Sequence, residues 1–246
     1  MDERKIIRLR ETGSTNRDLK QLSLSGCPQG TVVTAECQTE GRGRLGRSFI
    51  SPAGGVYLSY LMRPTTPPGE TASVTAWAAV AVADAIRDVT GLNCHIKWVN
   101  DLLLAGKKVC GILTEMAGDA LIIGIGINAN NLSFPEEIAD RATSLCLACG
   151  KEVDRNRLCG ALIGRLDMLC RQWPNAKEDY RERYIRLCDT VGQLVSFVYH
   201  GEELQGTAVG IGPDFELSVD TDGGNILVSS GEVTLHRERN RNEEKR

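Results

Sequence analysis

Leu102-Leu-Leu-Ala-Gly-Lys-Lys-Val-Cys-Gly-Ile-Leu-Thr-Glu-Met116, followed after Gly118-Asp119 by Ala120-Leu-Ile-Ile-Gly-Ile-Gly-Ile127, decides how this chain folds. Its apolar and β-branched runs read as strands, broken at Ala105-Gly106 and again at Gly118-Asp119. Links this short join antiparallel neighbours, because a parallel return needs a crossover of about a dozen residues or more. Just upstream, Cys94-His-Ile-Lys-Trp-Val99 reads as a further strand, with Asn100-Asp101 after it.

Toward the N-terminus, Lys5-Ile-Ile-Arg-Leu9, Thr31-Val-Val-Thr-Ala35 and Val56-Tyr-Leu-Ser-Tyr-Leu61 read as strands. Between the first two, Ser14 is placed to cap a helix carrying Leu19 and Leu22 at helical spacing. Thr71 to Val89 predicts the longest helix, apolar on most faces, and Gly91 ends it as a C-cap. Beyond the strand block, Leu158, Leu162, Ile163, Leu166 and Leu169 mark a helix, and Tyr180 to Leu187 another. From Val191 onward the pattern changes to five short strands separated by Gly201, Gly212-Pro213, Asp222-Gly-Gly224 and Gly231, which predicts a small barrel. The expected class is α+β: a mixed, largely antiparallel sheet with helices over residues 1–190, a small β-barrel over 191–237, and a charged, disordered tail over 238–246.

Composition narrows the function classes. The net charge is −3 over 246 residues, so nothing global points to nucleic acid. No apolar run reaches the roughly 20 residues needed to cross a bilayer, and the charged start Met1-Asp2-Glu3-Arg4-Lys5 is unlike a signal peptide. A cytoplasmic protein is expected. The nine cysteines are odd in number and scattered, so reduced thiols are expected in place of a disulfide framework. Cys146-Leu-Ala-Cys149 stands alone, and His95, His200 and His236 complete no zinc spacing, so no structural zinc is expected.

Four segments carry candidate chemistry. Gly41-Arg-Gly-Arg-Leu-Gly-Arg47 packs three arginines and three glycines into one loop. Arginine forks match carboxylate and phosphate, and glycine permits close backbone approach. The loop reads as an anion wrap or as a basic solvated turn. Ser14-Thr-Asn16 offers hydroxyls and an amide to a neutral polar ligand, or simply caps its helix. Lys97 stands between apolar residues, aimed either at a developing negative charge or at solvent. Asn100-Asp101 is a turn, or ligands of a metal or ribose. Gly124-Ile-Gly-Ile-Asn-Ala-Asn130 lets something approach a sheet closely. It departs from the dinucleotide fingerprint, and the phosphate-loop, H-E-x-x-H and G-x-S-x-G patterns are missing from the chain.

In order, Ser14-Thr-Asn16, Gly41 to Arg47, Lys97-Trp-Val-Asn-Asp101 through Lys108-Val-Cys-Gly-Ile-Leu-Thr-Glu115, and Gly124-Ile-Gly-Ile-Asn128 resemble the biotin protein ligases, over a span from Ile6 to Leu235. One departure is Val99, where the family usually has proline. The resemblance implies a class II synthetase-like catalytic fold followed by an SH3-like barrel. It implies activation of biotin by ATP, with Mg2+, to biotinyl-5′-adenylate, and transfer of biotin to a lysine of a biotin carboxyl carrier domain. Lys97 and Arg44 are then the catalytic candidates. Ser14, Thr15, Asn16, Gln38, Arg42 and Gly43 join them around biotin, while Arg47, Phe49 and Asn128 hold the nucleotide; no protein ligand to a metal is implied. Cations there lower the repulsion between the biotin carboxylate and the α-phosphate. A lipoate or octanoate ligase or transferase of the same fold is the alternative; those enzymes share the lysine but lack this arginine-loop pattern. The first catalytic strand begins near Lys5, which suggests the monofunctional type without an N-terminal DNA-binding domain. The expected partners are a carrier domain and no nucleic acid or membrane, with a homodimer within the family's range.

Overall fold

A computed structural model describes residues 4–64, 71–229, 231 and 233–236. The predicted tail lies outside these residues. The elements run β1 (Ile6–Thr12), α1 (Thr15–Leu24), β2 (Val32–Gln38), β3 (Val56–Met62), α2 (Thr71–Thr90), β4 (His95–Lys97), β5 (Asp101–Leu104), β6 (Lys107–Ala117) and β7 (Ala120–Ile127). They continue with α3 (Leu145–Cys149), α4 (Arg155–Gln172), α5 (Lys177–Leu187), β8 (Leu194–Tyr199), β9 (Glu202–Ile211), β10 (Leu217–Thr221), β11 (Gly224–Val228) and β12 (Val233–His236).

The first sheet has seven strands in the order β1-β2-β3-β7-β6-β5-β4. Its centre is the stretch quoted first. Ala105 (φ 46) and Gly106 (φ 77) both adopt left-handed backbone between β5 and β6, the conformation that a tight antiparallel hairpin requires. Gly118 (φ 65) serves the β6–β7 turn, where Ala117 faces Ala120. One pair departs from the antiparallel pattern: β1 and β2 run parallel, joined through α1. The sheet is therefore mixed and largely antiparallel, as the sequence predicts.

Every position of β3 is buried, and helices pack on both sides of the sheet. On one side, α2, α4 and α5 close the large core, where the Trp77 ring stacks on Tyr180 at 3.9 Å and meets Trp173 edge-on at 4.8 Å. On the other, α1 sets Leu19 against Val33, Leu61 and Ile122 in a smaller cluster. Gly91 (φ 76) ends α2 with its N–H on Arg87 O. Among the described residues no helix is long and apolar enough to cross a membrane, and the nine cysteines are free thiols.

The second sheet has five antiparallel strands in the order β11-β10-β9-β8-β12. Where the sequence predicts a barrel, the described strands form this sheet with β11 and β12 outermost. Its inner residues Val195, Phe197, Phe215 and Leu217 belong to the same apolar cluster as Trp98, Val99 and Tyr184, so the two sheets share one core.

Candidate active site

The α1 helix is short, and beyond its N-terminus the sheet face it covers is bare. Two rows of side chains cross that bare face. In one, Ser59 of β3 pairs with Gly124 of β7, which pairs with Leu113 of β6; in the other, Tyr57 pairs with Gly126 and Gly126 with Gly111. The glycines make room for other groups. A methyl at Gly124 would sit 2.2 Å from Asn16 Oδ1, and one at Gly126 would sit 2.6 Å from the Phe49 ring. At Gly111 it would meet the same ring at 3.2 Å. The glycines flagged by the sequence thus admit two specific side chains, Asn16 and Phe49.

Above this floor lies a cavity of about 680 Å³. Ser14, Thr15, Asn16, Gln38, Arg42, Gly43, Arg44, Arg47, Phe49, Lys97 and Asn128 all line it, so candidates from separate segments of the chain converge on one space. Val233, Thr234 and Leu235 of β12 complete part of the wall from the second sheet.

The start of α1 and Gln38 supply a cluster of neutral polar groups. Ser14 occupies the N-cap position of α1 in extended backbone, yet its side chain makes no capping bond; the residue lines the cavity. Thr15 donates its N–H (2.9 Å) and hydroxyl (3.1 Å) to Gln38 Oε1, and Gln38 Nε2 donates to Ser51 Oγ at 2.9 Å. The fully buried Ser59 hydroxyl lies 2.6 Å from Asn16 Oδ1 and 2.8 Å from Thr15 Oγ1. Asn16 Nδ2 donates to Leu113 O at 3.2 Å and to Glu115 Oε2 at 2.8 Å. Both amide protons of Asn16 are therefore spent inside the protein, and its carbonyl is bonded to Ser59. It holds the end of the site in shape.

The arginine loop brings cations to the same cavity. The arginine loop is a hairpin. Gln38 pairs with Ser51 at its base, Phe49 N–H donates to Gly41 O, and Gly43 N–H donates to Arg47 O across the stem. A methyl at Gly41 would lie 2.2 Å from Phe49 O, so this stem closes only around glycine. Leu45 (φ 53) and Gly46 (φ 76) turn the tip. Arg44 Nη1 donates to Asn100 Oδ1 at 3.1 Å, and Asn100 Nδ2 donates to Ile112 O at 3.0 Å. Asn100 thus ties the arginine hairpin to the turn that follows Lys97. That turn contains a cis Trp98–Val99 peptide. Lys97 faces Asp101 across the β4–β5 pair.

Several contributors receive no role from the sequence. Lys108 Nζ lies 2.7 Å from Asp101 Oδ1 and 5.7 Å from the centre of the Phe49 ring, so a second lysine enters the site. Glu115 steers Asn16 and lies 3.7 Å from Arg42. The short helix α3 pins Asn128, whose O accepts from Leu145 N–H while its Nδ2 donates to Thr143 O at 3.1 Å. Tyr57, beside Gly126 on β3, has its phenol pushed up to about 12 by burial and donates to Pro52 O at 2.7 Å. Ser59 reads from sequence as one more strand residue, and only the register that sets it under α1 gives it a role.

Residues 8–130 match the biotin/lipoate A/B protein ligase family. A biotin--[acetyl-CoA-carboxylase] ligase of Mycobacterium tuberculosis is 35% identical over 239 residues, covering 91% of this chain and 86% of that protein. A bifunctional ligase/repressor BirA of Bacillus subtilis is 45% identical over 150 residues, 58% of this chain and 46% of the relative, so the match spans about half of that protein's length. The solved biotin protein ligase of Aquifex aeolicus, in complex with biotin and ATP, superposes with a TM-score of 0.85 at 32% identity, covering 96% of this chain and all of that one.

Proposed function

The chain belongs to the biotin/lipoate A/B protein ligase family, and we propose that within it the protein is a biotin–protein ligase acting on the lysine of a biotin carboxyl carrier domain. The observation that carries this reading is the convergence of every candidate residue on one cavity, where neutral polar groups and cations meet.

In this reading the neutral ureido ring lies at Ser14, Thr15 and Gln38, with Asn16 bracing them from behind. A neutral ring with donors and an acceptor needs partners of both kinds and no charge. The carboxylate end reaches Lys97, Arg44 and Arg42, with Gly43 giving the loop backbone close approach. Arg47 neutralises phosphate charge, the adenine stacks at Phe49, and the Asn128 amide reads its edge. ATP enters with Mg2+ on its phosphates.

The first half-reaction joins a biotin carboxylate oxygen to the α-phosphorus and breaks the bond to pyrophosphate. The approaching anions repel, and Lys97 with the arginines offsets that repulsion where charge builds in the transition state. In the second half-reaction the carrier lysine amine attacks the acyl carbon of the mixed anhydride and AMP departs. Closure of the arginine hairpin keeps water from that anhydride in the interval. Free thiols throughout suit a reducing compartment, and we place the reaction in the cytoplasm.

Incubating the purified protein with biotin, MgATP and a carrier domain tests this by intact mass. One biotinyl addition per carrier is the expected product. Octanoyl or lipoyl transfer with no biotinylation would establish the other branch of the family.

A further inference from the structure

We propose that Thr190 and Tyr184, both outside the cavity, are positioning residues for Lys97, and that the junction between the two sheets thereby takes part in the first half-reaction. The inference rests on the ligase reading above.

Lys97 ends β4, a three-residue strand at the edge of the seven-stranded sheet. An edge strand this short has a single strand neighbour, β5, so the sheet alone holds it weakly. The missing neighbour is supplied by the segment leading into β8. Ile96 makes a parallel bridge to Cys188, and Asp189 N–H donates to Ile96 O at 2.9 Å.

The peptide just beyond Lys97 is held the same way. Trp98 N–H donates to Thr190 Oγ1 at 2.9 Å, and the Trp98 indole donates to Phe215 O at 2.8 Å. The Tyr184 hydroxyl donates to Val99 O at 3.3 Å. Thr190 and Tyr184 are both fully buried, so their hydroxyls have no solvent partner to exchange for. The Trp98 amide belongs to the Lys97–Trp98 peptide. Removing its acceptor leaves a buried donor unpaired, which the chain relieves by tilting that peptide. Because Lys97 is attached to the same peptide plane, its ammonium moves too, and a shift of about 1 Å is enough to cost of the order of 100-fold in rate. The biotin ring end, built on α1 and β3, is untouched by such a tilt.

The test compares the parent with Thr190→Val, Thr190→Ser and Tyr184→Phe in the full chain. Biotin-dependent pyrophosphate release gives kcat and KM, and calorimetry gives the biotin Kd. Thr190→Val, which keeps the shape without the hydroxyl, is expected to lower kcat about 10- to 100-fold while biotin Kd and KM stay within about twofold. Thr190→Ser is expected to return kcat to within about threefold, and Tyr184→Phe to lower kcat about threefold or more with the same unchanged Kd. An unchanged kcat in Thr190→Val, or a loss of biotin affinity equal to the loss of kcat, overturns the positioning role. If Thr190→Val fails to fold, Tyr184→Phe decides by the same split. A parent that releases no pyrophosphate overturns the ligase reading along with this one; a parent that does, with unaltered variants, overturns this one alone.

Discussion

Asn100 joins two groups that the proposed reaction needs together, accepting from Arg44 and anchoring the turn after Lys97 to β6. Lys97→Ala is expected to reduce biotin-dependent pyrophosphate release by about 100- to 1,000-fold, the usual cost of losing one transition-state cation or donor. Single-turnover release assays measure it, and retained activity removes Lys97 from its role. The glycine floor gives a sharper pair. Gly126→Ala presses on Phe49, so KM for ATP should rise about tenfold with biotin Kd unchanged; Gly124→Ala presses on Asn16, so biotin affinity should fall instead. Calorimetry with each ligand separates the two. That something lies close to these glycines is legible in the chain, since glycine inside a strand marks close approach. What lies there is not, because Asn16 and Phe49 come from distant segments and only the fold brings them over β7. Ser59 is harder still: nothing in its own neighbourhood distinguishes it from an ordinary strand residue, and Lys108 is marked only as the start of a segment, with no role.

Among the elements, the arginine hairpin and the helical layer behave differently. The hairpin stem is held by a few backbone bonds, and Leu45 at its tip is largely exposed. Amides of residues 41–49 should exchange quickly in the unliganded protein and slow on adding biotin; equal exchange in both states argues against closure. The helices carry a buried hub at Asp84, 5% exposed, which meets Arg87 at 2.7 Å, Arg165 at 3.6 Å and Arg183. It ties α2 to α4 and α5. Asp84→Asn removes the charge that those partly exposed guanidiniums share, a loss of about 1.5–3 kcal/mol for hydrogen bonds to a charged group, and should lower the melting temperature by roughly 5 °C. Hairpins and long apolar helices are legible from turn residues and composition, as β5, β6, β7 and α2 demonstrate. The parallel β1–β2 pair and α3 are not. Strand partners joined through a helix leave no local signal, and Leu145–Cys149 is too short to display a helical period.

Over the whole molecule, burial sets how stability responds to alkali. Burial pushes Cys94 up to about 12 and Cys170 up to about 11, and Tyr57 also to about 12. These groups are neutral when protonated, and in the unfolded chain thiols ionise near 8.5 to 9 and tyrosine near 10. Above pH of about 9 the unfolded chain therefore binds fewer protons than the folded one, and stability falls as pH rises toward 12. Thermal melts by circular dichroism should decline steadily from pH 9 to pH 11; a rise over that window contradicts the burial of these groups. The five short C-terminal strands are evident from their glycine punctuation. Their share in the main core is not, since Trp98 carries no sign in the sequence that it bonds to Phe215.

Gly124 and Gly126 are successive positions on the same face of β7, so the supports for the two ends of the site are spaced by one strand repeat, about 6.7 Å. In the proposed ligase the backbone then acts as the ruler between biotin and nucleotide, and the side chains mark its graduations. Sliding β7 against β3 and β6 would carry both marks together, so their spacing is a property of the strand itself.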